Sequence, residues 1–287
     1  MEALSLRQLK ESDIKLAHES TIIEGWNYRK EDIERMFKYN PLGCFIAEIE
    51  DKLVGHVFSV RYGKLGWIGL LIVRTEYRGK GIGTLLMKKA MHNLSSCGVE
   101  TVKLEAASKF ENFYRKLGFI DEHDSLRFSR TTHEFTSPNN SKVKLLKRNG
   151  IRELAKFDAK YFGVNRIEVL TRLYDDYPEF CFISCAGPKI IGYIMCRKGE
   201  RGYWVGPWVC SPENKRYSGE LLAKYIETLG QDARLHVGVP AVNKVAMEIM
   251  QEFGFEQYSK SIRMRFGKKL ETERLDGIFA IGGPEKG

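Results

Sequence analysis

The sequence predicts two homologous mixed α/β domains in tandem. Three observations carry that expectation: the chain repeats itself once with the period of a whole domain, each repeat alternates β-rich runs with helix-like patterns, and a polar stretch separates the two. At 287 residues, with 43% hydrophobic and 11% aromatic side chains, the chain can bury two cores of ordinary size.

The repeat sets the organisation. Cys44-Phe45-Ile46 matches Cys181-Phe182-Ile183, and Gly55 matches Gly192, each pair 137 residues apart. After a slip of one residue, Gly66, Val73, Leu85-Leu86 and Gly118-Phe119 answer to Gly202, Val209, Leu221-Leu222 and Gly254-Phe255, all 136 apart. Asn27 and Pro41 face Asn165 and Pro178 further upstream. Unrelated segments would need matching loop lengths as well as matching residues, so the units are read as homologous. The join is expected in T-S-P-N-N-S at 136–141, which gives domains 1–136 and 141–287.

Each unit begins with a polar, helix-like segment. In the first unit, β-rich runs at 44–48, 53–61 and 67–73 are bounded by Asp51-Lys52 and Gly63-Lys64, the pattern of a meander. A helix over 84–94 places Leu86, Ala90 and Leu94 on one face, with Leu85 and Met87 beside them, and Gly98 ends it. A strand over 102–106, a helix over 111–117 closed by Gly118, and a last strand through 126–128 complete the unit.

Composition excludes several classes. The longest apolar runs, 67–73 and 190–196, fall far short of the roughly 18 residues a spanning helix needs, so no membrane role is expected. The opening MEALSLRQLKESD carries charge throughout and lacks a secretory apolar core, which predicts a cytoplasmic chain. Six scattered cysteines form no C-x-x-C pair, so neither disulfides nor a metal is expected. The net charge of +9 sits mostly in the second half, but no basic stripe alternates with aromatics, and nucleic acid is not the expected partner. The oligomeric state is left open.

The chemistry is carried by the turn after Val73, R-T-E-Y-R-G-K-G-I-G-T-L-L, in which Gly79, Gly81 and Gly83 alternate ahead of a helix. Such a turn presents unblocked N–H groups and the positive end of a helix dipole to a phosphate or pyrophosphate. A dinucleotide loop would need glycine at Thr84, and a P-loop would need G-K-[ST] at 83–85; neither fits.

The frame V-x-x-x-Y-R-G-K-G-I-G-x-x-L-L, with Arg78-x-x-Gly81-x-Gly83 inside it and F-Y-R-K-L-G-F at 113–119, resembles the acetyl-CoA site of the GNAT N-acetyltransferase superfamily. The two-domain layout is similar to tandem GNAT proteins whose second unit is of the YitH type. The resemblance implies two tandem GNAT folds, each a mostly antiparallel twisted sheet flanked by helices. It also implies acetyl-CoA as co-substrate, with the pantetheine arm along Leu71, Ile72 and Val73. The pyrophosphate would lie over Arg78, Gly79, Lys80, Gly81, Ile82, Gly83 and Thr84, with Asn112 also on the cofactor. Tyr114 stands at the family's general-acid position, where a phenol can protonate the departing thiolate.

No Asp, Glu or His lies on the strand 67–73, where some members keep a carboxylate. Glu24 and Glu105 are the alternative candidates for the base. Cys97 is disfavoured as an acyl carrier. Trp26 and Asn27, with Glu24, are expected to line the acceptor entrance, a set suited to a small primary amine.

The second unit reads as degenerate. Lys215 and Tyr217 replace Gly79 and Gly81, leaving Gly219 alone of the triplet; Pro207 replaces Leu71 and removes an N–H; Met250 replaces Tyr114. Lys215 and Arg216 keep a small capacity to hold an anion. The expected activity is acetyl transfer from acetyl-CoA to a small-molecule amine by direct attack in a ternary complex. Alternatives are an acyl-CoA-binding pseudoenzyme or regulatory module, and a protein N-acetyltransferase.

Overall fold

In the computed structural model, which describes residues 4–131, 143–214 and 216–287, the expected joining run at 136–141 lies outside the described residues, as does Lys215. The first unit starts with a short strand, β1 (Leu4–Gln8), where the sequence suggested only helix. Two helices follow, α1 (Ile14–Ile23) and α2 (Lys30–Tyr39). The meander is β2 (Phe45–Ile49), β3 (Lys52–Tyr62) and β4 (Leu65–Val73). Then come α3 (Ile82–Ser96), β5 (Thr101–Ala107), α4 (Glu111–Lys116) and β6 (Ile120–Arg130), the last far longer than expected.

The second unit repeats this order. It contains β7 (Val143–Leu145), α5 (Ile151–Phe162), α6 (Ile167–Asp176), β8 (Phe182–Ala186), β9 (Lys189–Gly199) and β10 (Gly202–Cys210). These are followed by α7 (Arg216–Leu229), β11 (Leu235–Pro240), α8 (Lys244–Glu252) and β12 (Glu256–Gly267). A further short strand, β13 (Ile278–Ala280), has no counterpart among the described residues of the first unit.

The repeated glycines have a packing reason. A Cβ at Gly55 on β3 would stand 3.2 Å from a Leu86 methyl, and one at Gly192 on β9 would stand 3.1 Å from a Leu221 methyl. Each glycine lets the helix after the glycine-rich position, α3 or α7, lie close on its sheet. Leu86, Ala90 and Leu94 of α3 are buried against Ile68 and Val102, as their spacing predicts, whereas Leu85 remains exposed. The opposite face is covered by α1 and α2, with Ile14, Ile33 and Met36 packed around Phe58 and Trp67, and Phe162 of α5 joins this cluster.

The two units share one sheet. The strand order is β1-β2-β3-β4-β5-β12-β6-β11-β10-β9-β8-β7. Pairing is antiparallel except for β4 with β5 and β10 with β11. The long strand after each unit's final helix is exchanged: β12 pairs with β5 of the first unit, and β6 pairs with β11 of the second. No edge is left at the junction, because β6 and β12 also pair with each other.

Buried ion pairs lock the exchange. Glu105 on β5 accepts from Arg263 Nε on β12 at 2.6 Å and from Arg127 on β6 at 3.1 Å. Lys103 on β5 lies 2.6 Å from Glu273 and 3.0 Å from Glu122 of β6. Among the described residues no helix is long and apolar enough to cross a membrane.

Candidate active site

The site is built where β4 leaves β5. The two strands pair in parallel only from Leu65–Trp67 to Thr101–Lys103, and beyond Trp67 they part. Between Gly69 and Ile72, two residues of β4 face the single Val57 of β3, and Leu70 takes a left-handed conformation, φ 49°. This β-bulge re-aims the backbone at the mouth of the opening. Leu71, Ile72 and Val73 therefore lie beyond the end of the β4–β5 ladder, with no strand among the described residues paired to that edge. Beneath the bulge, His56 is fully buried, and burial pushes its imidazole down to about 4. It is neutral at physiological pH.

The glycine-rich turn follows. Gly79 and Gly81 have φ of 78° and 80°, and a Cβ on either would meet nothing within 4 Å. The turn is open to a ligand, and its backbone is the kind that favours glycine. Ile82 opens α3, whose first intrahelical acceptor is Gly81, through Leu85 N–H at 3.1 Å; the first-turn amides of Ile82, Gly83 and Thr84 thus remain for an anion.

Arg78 donates Nε to the Val73 carbonyl at 2.8 Å, and its other arm is ion-paired with Glu24. Lys80 lies over the Tyr77 ring. Asn112, exposed on α4, accepts from Arg115 at 3.0 Å.

Tyr114 projects from α4 with its ring against Phe113 and Phe119. Its hydroxyl has no hydrogen-bond partner among the described residues. Burial pushes the phenol above its ordinary value, so it stays protonated and able to donate.

Two of the expected site residues are engaged by other parts of the chain. Glu105 is buried with both oxygens occupied, by Arg263, Arg127 and Ser261. Burial alone would raise its pKa, but the two guanidinium charges bring it down to about 2. Such a carboxylate is a junction anchor and a poor base.

Asn27 faces the second unit: its Oδ1 accepts from the Arg201 N–H at 2.6 Å, and its amide packs so closely on Gly199 that a Cβ there would be 2.6 Å away. Asn27 thus takes part in the contact between the units. Arg201 also binds the Gly25 carbonyl, so the β9–β10 turn holds the whole 25–27 segment. Trp26 is half-buried, with its ring edge-on to Tyr28 at 6.1 Å. Cys97 is exposed at the far end of α3.

The equivalent opening in the second unit is filled. β10 and β11 pair only from Tyr203–Val205 to Leu235–Val237. Past that point β13 lies along β10, with Trp208 opposite Ala280 and Val209 opposite Ile278. Ile281 then donates to Gly238 of β11 at 2.9 Å. Val209 is the repeat partner of Val73, so the chain's own backbone occupies the edge left open in the first unit. Met250 is fully buried, and Arg216 donates to the Tyr217 hydroxyl.

Residues 12–119 match the Acetyltransferase (GNAT) family pattern, and residues 154–280 match an Acetyltransferase (GNAT) domain pattern. The chain belongs to the GNAT acetyltransferase family. It is a tandem GNAT protein and an acyltransferase, and the family's acyl donor is acetyl-CoA.

This GNAT chain is 26% identical over 274 residues to a holothin acyltransferase of Pseudoalteromonas sp. (strain SANK 73390), covering 95% of this chain and 91% of that one. It is 19% identical over 258 residues to the uncharacterized N-acetyltransferase YitH of Bacillus subtilis, covering 87% and 86%. A crystal structure from Pyrococcus horikoshii superposes with a TM-score of 0.83 at 26% identity, over 100% of this chain and 97% of that one.

Residues that the sequence did not mark also meet on β4, next to the bulge. After β13 the chain turns back between the units and seats itself on β4. Trp67 Nε1 donates to the Pro284 carbonyl at 3.0 Å, Tyr62 Oη to that of Lys286 at 2.9 Å, and Arg166 to that of Gly287 at 2.7 Å. Glu285 lies against Gly69, where a Cβ would be 2.5 Å from its Cα. Its carboxylate accepts from Tyr28 Oη at 2.6 Å and is paired with Lys286. The one local signal was the glycine at 69, in the middle of an apolar strand.

Among the described residues, no group of three or more His, Cys, Asp or Glu could hold a metal.

Proposed function

We propose that the first unit is the catalytic one and that it transfers an acetyl group from acetyl-CoA to a primary amine of a small molecule by direct attack in a ternary complex. The observation that carries this reading is the contrast between the two openings. The edge of β4 at Leu71, Ile72 and Val73 is free and leads into the open turn at Gly79 and Gly81, whereas β13 fills the equivalent opening at β10.

The residues present fit the donor. Backbone groups of 71–73 would pair with the pantetheine arm. The turn 78–84 and the N-terminus of α3 would hold the pyrophosphate, with Arg78 exchanging Glu24 for it and Asn112 at the flank. The donor supplies an acetyl thioester already activated for attack. Tyr114, neutral and with no hydrogen-bond partner among the described residues, would give a proton to the departing sulfur. The acceptor approaches from the Trp26 side. A relative matched over 91% of its own length is named a holothin acyltransferase, which supports holothin-like molecules as the acceptor class.

Calorimetry and turnover test the reading together. One acetyl-CoA per chain is expected, with thiol release that depends on an added primary amine. A stoichiometry near two would overturn the assignment of the second unit as degenerate. Binding without amine-dependent thiol release would identify an acyl-CoA-binding module in place of an enzyme.

A further inference from the structure

We propose that Glu285, carried to the first unit by the segment after β13, is a positioning residue for the acceptor. By accepting the hydrogen bond that the Tyr28 hydroxyl donates, it obliges the phenolic oxygen to act as a hydrogen-bond acceptor for an incoming N–H. The inference rests on the reading of the first unit as catalytic, and it deepens that reading by naming what recognises the amine.

Three observations converge. First, the strand that would hold the reacting thioester brings no titratable side chain of its own, and Gly69 in its middle has no side chain at all. That vacancy is where the backbone of Glu285 sits, 2.5 Å from the place of a Cβ at its Cα and 2.9 Å at its carbonyl oxygen. Second, the segment is built in and does not merely lie nearby: Trp67, Tyr62 and Arg166 each donate to one of its carbonyls. Third, the Glu285 carboxylate reaches Tyr28 at 2.6 Å, and Tyr28 carries Trp26 on its ring edge. The pair thus links the acyl strand, through contacts, to the expected acceptor wall. The other candidate carboxylates are engaged elsewhere, Glu24 with Arg78 and Glu105 with Arg127 and Arg263.

The chemistry follows from proton count. A phenol has one proton, and here it is donated to a carboxylate, so the oxygen can only accept from a further partner. Burial keeps the phenol protonated, and the charges of Lys286 and Arg197 hold Glu285 ionised in spite of its burial. An N–H of an amine satisfies that oxygen. A partner that offers only lone pairs meets repulsion and leaves a buried polar atom unpaired, the usual basis of strong discrimination. Arg197, stacked 5.0 Å from the Tyr28 ring centroid, comes from β9, so both units contribute to the arrangement.

A double-mutant cycle on the full chain tests the inference. Tyr28→Phe should raise the KM for the best primary amine at least about tenfold, leaving the acetyl-CoA dissociation constant within about twofold of wild type. E285Q should move the amine KM in the same direction. Adding E285Q to Tyr28→Phe should change it no further, because Glu285 acts through the hydroxyl already removed.

Independent, additive effects, or an amine KM unchanged in folded Tyr28→Phe, would overturn the proposal. A lower melting temperature as the only effect would do the same, since that is what a simple clamp between the units predicts. If E285Q alone does not fold because Lys286 is left uncompensated, the cycle is run with E285Q/K286M against K286M. Wild-type protein that binds acetyl-CoA but turns over no amine overturns the catalytic reading and this inference with it. Wild-type turnover that both variants leave untouched overturns this inference alone.

Discussion

Glu24, the residue that closes α1, is ion-paired with Arg78 at the mouth of the glycine-rich turn. A carboxylate thus rests on the cation that is expected to meet pyrophosphate, and the first helix is tied to the loop that ligand binding would engage. Arriving phosphate has to compete with it. The Glu24→Gln variant should therefore bind acetyl-CoA as well as wild type or tighter, by ~1.4- to 5-fold, the value of a partly exposed pair. Turnover should survive. A collapse of kcat with unchanged affinity would instead make Glu24 the base.

Gly81→Val tests the cradle. Its φ of 80° disfavours a β-branched residue by on the order of 1–2 kcal/mol, while a Cβ meets nothing within 4 Å. The protein should fold with a modestly lower melting temperature and lose at least about tenfold in acetyl-CoA affinity by calorimetry. Unchanged affinity would remove the turn from the binding site.

Tyr114→Phe should lower kcat about 10²–10⁴-fold, the usual contribution of a general acid, with little change in the acetyl-CoA dissociation constant. Packing is preserved because the ring stays between Phe113 and Phe119. A loss below about threefold would exclude the phenol from the mechanism.

Glu105→Gln should act on stability. Removing this carboxylate leaves Arg263 and Arg127 buried without their shared counter-charge, at a cost of about 3–5 kcal/mol. The sign with pH follows from a folded value of about 2 that lies below the unfolded carboxylate value of 4.5. The contribution is fully present above pH 4.5 and is lost as pH falls through 2. Urea unfolding of wild type should weaken across that window, and the variant should show a flatter dependence. Equal slopes would mean that another carboxylate dominates acid unfolding.

Gly69→Ala adds one methyl where Glu285 sits. Overpacking of this kind costs about 1–3 kcal/mol, and displacing the segment should raise the amine KM in the same direction as Tyr28→Phe. A variant with a lower melting temperature and wild-type amine KM would show that the position of the segment does not matter to the acceptor.

Features written into local spacing were legible from the residues alone. The offset that relates Gly55 to Gly192 announced two units because both glycines answer the same demand, a helix lying close on a sheet. The alternation at Gly79, Gly81 and Gly83 located the turn, since positive φ and open amides leave a mark in the residues themselves. The apolar period of Leu86, Ala90 and Leu94 predicted a buried helix face and found one.

Partners distant in the chain became visible only in the folded molecule. Glu105 could be read as a base because nothing near it in the chain reveals Arg263, 158 residues away. Nothing local to Asn27 reveals that its side chain meets the β9–β10 turn, 174 residues away. The exchange of β6 and β12, the filling of the second opening by β13, and the meeting of Tyr28 with Glu285 across 257 residues all depend on long-range pairing. Such pairing is settled by the best global packing of backbone edges and buried charges, and no short window of sequence carries its period.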